Sequence, residues 1–200
     1  MASSTAAYDA RAAEYIAALG SMDAVHPTDR AIVDAWATTV RGRVLDAGCG
    51  PGHWTAHLAG LGCDVRGIDI VPGFLTHARA AYPGIPFDVC SIDTLDVPDG
   101  SVDGILSWFS TIHHEPFAIG APMREFARVL CPGGTLLLGF FSGEHVEAFA
   151  HAVSPAYRWP PTNLHRLLDA AGFDVVETQV RETRGARPVG SILCARRSAS

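Results

Sequence analysis

Residues 44–52 read Val-Leu-Asp-Ala-Gly-Cys-Gly-Pro-Gly, and the next apolar run closes on an acid, Asp69. Val44 and Leu45 are strand residues directed at a core, and a helical pattern starts near His53. Gly48, Gly50 and Gly52 turn the chain between the two. With no Cβ in the way, such a turn lets a ligand approach the backbone closely. The helix behind it offers unpaired amides and the positive end of its dipole to the same place. A carboxylate at the end of the next strand can accept both hydroxyls of a ribose. These features constrain the chain to a doubly wound α/β domain built around a nucleoside-containing cofactor.

The rest of the sequence repeats that unit. Strand-like runs fall at 43–48, 64–70, 86–91, 102–108 and 134–141, with helix-like runs at 53–60, 73–82 and 117–130 between them. Alternation of this kind gives a parallel sheet with helices on both faces. Helices are also expected at 7–19, 28–40 and 161–171. Strands at 173–180 and 189–196 follow one another without a helix, so they pair antiparallel, because parallel neighbours need a long crossover. The expectation is one domain over 1–200 with a Rossmann-like seven-stranded sheet, mostly parallel, whose last strand is antiparallel. Within it, 1–42 supplies N-terminal helices, 43–141 the cofactor-binding core, 142–160 a long irregular loop suited to substrate, and 161–200 the final helix and strand pair. Long loops in compact domains are often lids or binding loops.

A formal net charge of −6 argues against a general nucleic-acid or anionic-membrane surface. Five arginines between Arg181 and Arg197 could form a local basic patch, but a solvated strand and tail is favoured. Five scattered cysteines fit a reducing cytoplasm better than a disulfide framework. No signal-peptide pattern and no run long enough to span a membrane are read. His53 and His57 share a helix face, and His113-His114-Glu115 form a second cluster. Neither has further ligands at a convincing spacing, so no metal site is assigned.

The turn separates two cofactor classes. A dinucleotide fingerprint needs a third glycine where this chain has His53. Asp46, just before the turn, suits a cationic group better than a phosphate. The chain also lacks lysine entirely, so it has no Tyr-x-x-x-Lys pair for a nicotinamide oxidoreductase. The turn therefore favours a cofactor with a positive end and no pyrophosphate.

Val44–Gly52 resembles the first motif of class I S-adenosylmethionine-dependent methyltransferases. The likeness continues through Gly67-Ile68-Asp69-Ile70, through 97–103 (Val-Pro-Asp-Gly-Ser-Val-Asp), through 125–134 (Glu-Phe-Ala-Arg-Val-Leu-Cys-Pro-Gly-Gly), and through 168–173. The resemblance implies S-adenosylmethionine as cofactor. Gly48 and Gly50 would pass it across the strand end, and Asp46 would act on its ammonium through water or the loop backbone. Asp69 would bind the ribose hydroxyls, with Ile70 beside the adenine. Ser91 and Ile92 would meet the adenine edge; Ser91 stands where many relatives carry Asp, and Asp93 is the second choice.

Tyr8, Arg11 and Tyr15 are spaced to share one helix face. By composition alone they are a surface face with two half-buried tyrosines. The Tyr-Asp-x-Arg-Ala-x-x-Tyr pattern is similar to that of small-molecule methyltransferases, which implies a lid helix with Arg11 clamping the cofactor carboxylate. Trp108 and Phe109 could wall the cofactor. His113 aligns with a histidine common at this place in the family, either as general base or as a polar contact that orients the loop. The implied activity is methyl transfer to O, N or C of a small organic acceptor. The alternative is a protein that binds S-adenosylmethionine without transferring its methyl group. An apolar or aromatic acceptor fits the loop residues Phe141, His145, Phe149, His151, Tyr157 and Trp159.

Overall fold

The sheet grows outward from its central strand. In the computed structural model, which describes residues 2–182 and 187–198, β1 (Arg43–Ala47) lies between β2 (Asp64–Asp69) and β4 (Val102–Trp108), parallel to both. β3 (Phe87–Val89) continues beyond β2 and β5 (Leu130–Ser142) beyond β4, again parallel. β9 (Val189–Arg196) pairs antiparallel with β5, and β8 (Phe173–Arg181) pairs antiparallel with β9. The Rossmann-like, mostly parallel sheet with a reversed last strand is thus present. That strand is not at the edge: β9 is inserted between β5 and β8.

Period-two alternation assigns side chains to the two faces. In β5, Leu136 and Leu138 pack with Met123, Phe126, Leu164 and Leu168 of α6 (Gly120–Val129) and α7 (Pro161–Ala170). Leu137 between them packs the other way, against Val33 and Trp36 of α3 (Pro27–Ala37) and Trp54 and Leu58 of α4 (His53–Gly60). The indole of Trp36 donates to Thr135 Oγ1 at 3.0 Å, so its one polar atom is satisfied in the core. α5 (Pro72–Ala81) closes the β2–β3 end with Leu75 and Ala78 against Phe87.

Two expectations are corrected. Residues 142–160 are not wholly irregular: β6 (Glu147–Phe149) and β7 (Ala156–Trp159) form an antiparallel ribbon, and β7 runs parallel to the overhanging end of β5. Among the described residues the sheet therefore has nine strands. Runs this short carry no periodic signal; β7 is defined by its pairing with Phe141 and Ser142, and β6 by its pairing with β7. The helix expected over 7–19 is also two helices, α1 (Ala2–Ala10) and α2 (Ala12–Leu19), broken at Arg11 with φ −114° and ψ 15°. The break brings the Tyr8 and Tyr15 rings to 5.5 Å. On a continuous helix, residues seven apart would be separated by about 10 Å along the axis. Both rings then pack on Phe74, and Asp9 Oδ1 accepts from Gly73 N at 3.0 Å, which fastens the N-terminal helices over the start of α5.

Candidate active site

Parallel strands deliver their carboxyl ends to one edge of the sheet, and a cleft of about 450 Å³ opens there, within the usual range for small-molecule sites. β1 brings Asp46 and the glycine turn to it, β2 brings Asp69, β4 brings Trp108, and β5 brings Phe141. All three turn glycines have positive φ, at 83° for Gly48, 53° for Gly50 and 87° for Gly52. Their surroundings differ. A Cβ on Gly48 would lie 2.3 Å from Ser110 Cβ, whereas one on Gly50 would meet nothing within 4 Å. Gly48 is therefore a packing requirement, and Gly50 leaves open space for a ligand.

Asp69 is wired into the turn. Its Oδ2 accepts from Gly50 N and its Oδ1 from Val71 N, each at 2.8 Å. Each oxygen keeps a second lone pair, so both can accept from a vicinal diol. Burial raises the Asp69 pKa, and the bonds from the Val71 and Gly50 amides oppose that rise. Asp46 is deeper. Thr55 Oγ1 donates to its Oδ2 at 2.6 Å, yet loss of hydration dominates and lifts its pKa from 3.8 to about 7. A cation near Asp46 would favour its ionised form. Open space at Gly50, a doubly accepting acid and a buried acid awaiting a cation fit a ribose joined to a positively charged end.

The opposite wall is aromatic. Rings follow one another from Trp54 to Trp108 at 5.9 Å, to Phe109 at 5.5 Å and to Phe141 at 5.2 Å. The series continues through His151 at 6.0 Å, His113 at 5.3 Å and Tyr8 at 5.4 Å. Phe109 has φ 57°, rare for a residue with a bulky side chain. It turns the chain sharply after β4 and sets Ser110 against the Gly48 turn.

His113 sits where the two walls meet. Its Nδ1 lies 2.8 Å from the Pro155 carbonyl, which can only accept, so Nδ1 carries the proton. Nε2 then offers a lone pair in the neutral ring, and Tyr8 Oη donates to it at 2.7 Å. Burial lowers the His113 pKa, partly offset by the Pro155 bond, and raises that of the Tyr8 hydroxyl. The pair is therefore uncharged at neutral pH.

Comparison with known proteins extends this geometry. Residues 44–134 match a family model described as a methyltransferase domain. The ubiquinone biosynthesis O-methyltransferase of Xanthomonas campestris is 30% identical over 179 residues, covering 82% of this chain and 74% of that protein. The chain belongs to the class I S-adenosylmethionine-dependent methyltransferases. A malonyl-[acyl-carrier protein] O-methyltransferase of Yersinia pestis is 37% identical over 114 residues, 54% of this chain and 40% of that protein. The match spans 40% to 60% of the length of the two malonyl-[acyl-carrier protein] O-methyltransferases compared. Among solved structures, 1,6-didemethyltoxoflavin-N1-methyltransferase of Burkholderia thailandensis, with bound 1,6-didemethyltoxoflavin and S-adenosylhomocysteine, superposes with a TM-score of 0.77. It is 22% identical and covers 96% of this chain and 88% of that one. The family's cofactor is S-adenosylmethionine.

Measured against this methyltransferase framework, Tyr8, Tyr15, Asp46, Gly48, Gly50, Asp69, Ile70, Ser91, Ile92, Trp108 and His113 all line the one cleft. Arg11 does not, which corrects its placement beside the tyrosines. It occupies the α1–α2 break, pairs with Glu14 at 2.5 Å and donates to the Ala152 carbonyl. Asp93 is drawn away by His114 Nε2, 2.8 Å from its Oδ1, so Ser91 and Ile92 are left at the cleft. His57 is held by Asp34 at 2.5 Å.

Phe74 and Ile112 line the cleft but were not anticipated. Phe74 stands in the first turn after Asp69, where the helix end faces the site, and that position is a readable signal. Ile112 carries none. Of the loop residues, Phe141 and His151 reach the cleft, Phe149 packs behind Phe141 at 5.1 Å, and Trp159 is in the core. Arg181 bonds Asp29, Arg197 bonds Asp169 and Asp174, and Arg196 bonds the Leu130 carbonyl. The C-terminal arginines thus tie the fold together; Arg184 lies outside the described residues.

Proposed function

We propose that this chain transfers a methyl group from S-adenosylmethionine to O, N or C of a small organic acceptor. One observation carries the reading: the doubly accepting Asp69 and the open Gly50 share a single cleft with an uncharged imidazole that keeps a lone pair toward Tyr8. S-adenosylmethionine supplies a methyl group already activated on a sulfonium sulfur, so the protein's task is to bind, orient and keep out water.

In this reading Asp69 accepts both ribose hydroxyls, and Ile70 packs beside the adenine. Ser91 Oγ and the Ile92 amide meet the adenine edge. Gly48 and Gly50 allow the close approach, and Asp46 draws the ammonium through water or the loop backbone. Tyr8 and Tyr15 form the underside of a lid made by α1 and α2, with Trp108 as part of the wall. Arg11 is assigned to holding that lid through Glu14 and Ala152 rather than to clamping a carboxylate. His113 is the general base: an acceptor hydroxyl or amine that donates to Tyr8 Oη, or displaces it from Nε2, places its proton within reach of the imidazole. Five free thiols fit a reducing, cytoplasmic setting.

The test is acceptor-dependent formation of S-adenosylhomocysteine from labelled S-adenosylmethionine across a set of small acceptors, with calorimetry of S-adenosylhomocysteine and NADH alongside. Binding of NADH without S-adenosylhomocysteine would overturn the assignment. Tight binding of S-adenosylmethionine with no transfer to any acceptor would favour the alternative, non-transferring protein.

A further inference from the structure

The acceptor end of the cleft has a definite charge character. Among the described residues lining it, none is Arg or Lys; the charged side chains are Asp29, Asp46 and Asp69. Asp29 is paired with Arg181, leaving the two cofactor-side acids. The polar groups at the aromatic end include Tyr8, His113 and His151. Tyr8 spends its proton on His113 Nε2, so toward the cleft its oxygen can only accept. Among the described residues His151 Nδ1 is buried without a partner. Burial, with smaller contributions from His113 and Arg187, takes the His151 pKa down to about 4, so this ring too is neutral. Arg187 lies nearby but is stacked 4.6 Å over Phe149, donates to the Ala150 carbonyl at 2.9 Å, and does not line the cleft.

We propose, resting on the methyl-transfer reading, that the acceptor is an uncharged planar aromatic or heteroaromatic molecule bearing an O–H or N–H, which stacks among Phe109, Phe141 and His151 and donates to the Tyr8–His113 pair. A carboxylate acceptor is selected against. It would lose hydration in an apolar wall that offers no counter-ion, with like charges at the far end. An O–H or N–H answers the lone pairs that the wall presents, and the flat rings answer a flat ligand. In the transfer, the acceptor's heteroatom bonds the methyl group, the former carbon–sulfur pair remains on sulfur, and the acceptor's proton passes to the Tyr8–His113 pair.

Binding is measured by calorimetry on protein saturated with S-adenosylhomocysteine, whose uncharged sulfur does not itself draw an anion. The probes are a matched set of neutral phenols and N–H heteroaromatics with their carboxylate counterparts, for example 2-naphthol against 2-naphthoate. The neutral members should bind roughly 30-fold or more tightly than the carboxylates. His151→Arg should narrow or reverse that ratio, and Arg187→Ala should leave it unchanged. Equal or tighter binding of carboxylates, carboxylate binding that Arg187→Ala abolishes, or no binding by any neutral member would each overturn the inference. Failure of S-adenosylhomocysteine itself to bind would instead reject the methyl-transfer reading.

Discussion

Replacing Asp46 by Asn isolates one buried charge. The carboxyl titrates at about 7 in the folded protein against an ordinary 3.8. Between those values the folded state holds a proton that the unfolded chain has lost, so stability falls as pH rises through the window. Each tenfold change in proton affinity is worth about 1.4 kcal/mol. At pH 5 about 1.7 kcal/mol has been lost, and by pH 8 the loss is about 4.3 kcal/mol. An asparagine pays neither. It keeps the bond from Thr55 through its oxygen but buries an amide that costs about 1–3 kcal/mol if unpartnered. That penalty is the same at every pH and cancels in the comparison. The stability of Asp46→Asn relative to wild type should therefore rise by about 3 kcal/mol between pH 5 and pH 8, or by about 6–12 °C in Tm for a chain of this size. Urea unfolding at several pH values without cofactor measures it. A gap that stays constant with pH would refute the raised Asp46 pKa in the free protein. The same variant should lose about tenfold in S-adenosylhomocysteine affinity at pH 8 and much less at pH 5, where the wild-type carboxyl is already protonated.

His113→Ala should cost about 100-fold in turnover at pH 7.5 while S-adenosylhomocysteine affinity stays within about threefold by calorimetry; full turnover at all pH values would reject the base. Because burial lowers the His113 pKa below 6.5, the wild-type rate should be flat through neutrality and fall only on the acid side, where the ring binds its proton. Gly48→Ala should unfold readily, since its methyl would meet Ser110 at 2.3 Å. Gly50→Ala should cost only about 1 kcal/mol in stability but at least tenfold in cofactor affinity, read by thermal shift and calorimetry on the same samples. Arg11→Ala should leave cofactor affinity within about twofold, and a large loss would restore it as a carboxylate clamp.

Sequence disclosed most where one residue type can do only one job. Gly48 and Gly50 need positive φ, Asp69 must end a strand, and alternating strand and helix runs leave little topological freedom. Those features account for the glycine turn and Asp69 meeting in one cleft and for nearly every strand. What stayed hidden depends on tertiary contact. β6 and β7 are three and four residues long, too short for a period to show, and β7 has a place because β5 runs past the end of its pairing with β4. The break at Arg11 is equally silent, because the seven-residue spacing of Tyr8 and Tyr15 fits both a straight helix and a folded pair. Only the docking of Tyr8 and Tyr15 on Phe74 distinguishes them.

That break also explains why the two ends of the site differ in legibility. The contacts proposed for the cofactor come from strand ends fixed by the sheet register, so residue order maps directly onto position. The contacts proposed for the acceptor come from three separate excursions: α1, the turn after β4, and the loop holding His151. They converge through Tyr8 Oη on His113 Nε2 and His113 Nδ1 on the Pro155 carbonyl. Each bond joins residues 105 and 42 positions apart respectively, a separation over which local pattern carries no information. In the proposed reading the donor end is thus set by a local motif and the acceptor end by long-range assembly, and the two are coupled where Ser110, in the turn after β4, packs against Gly48.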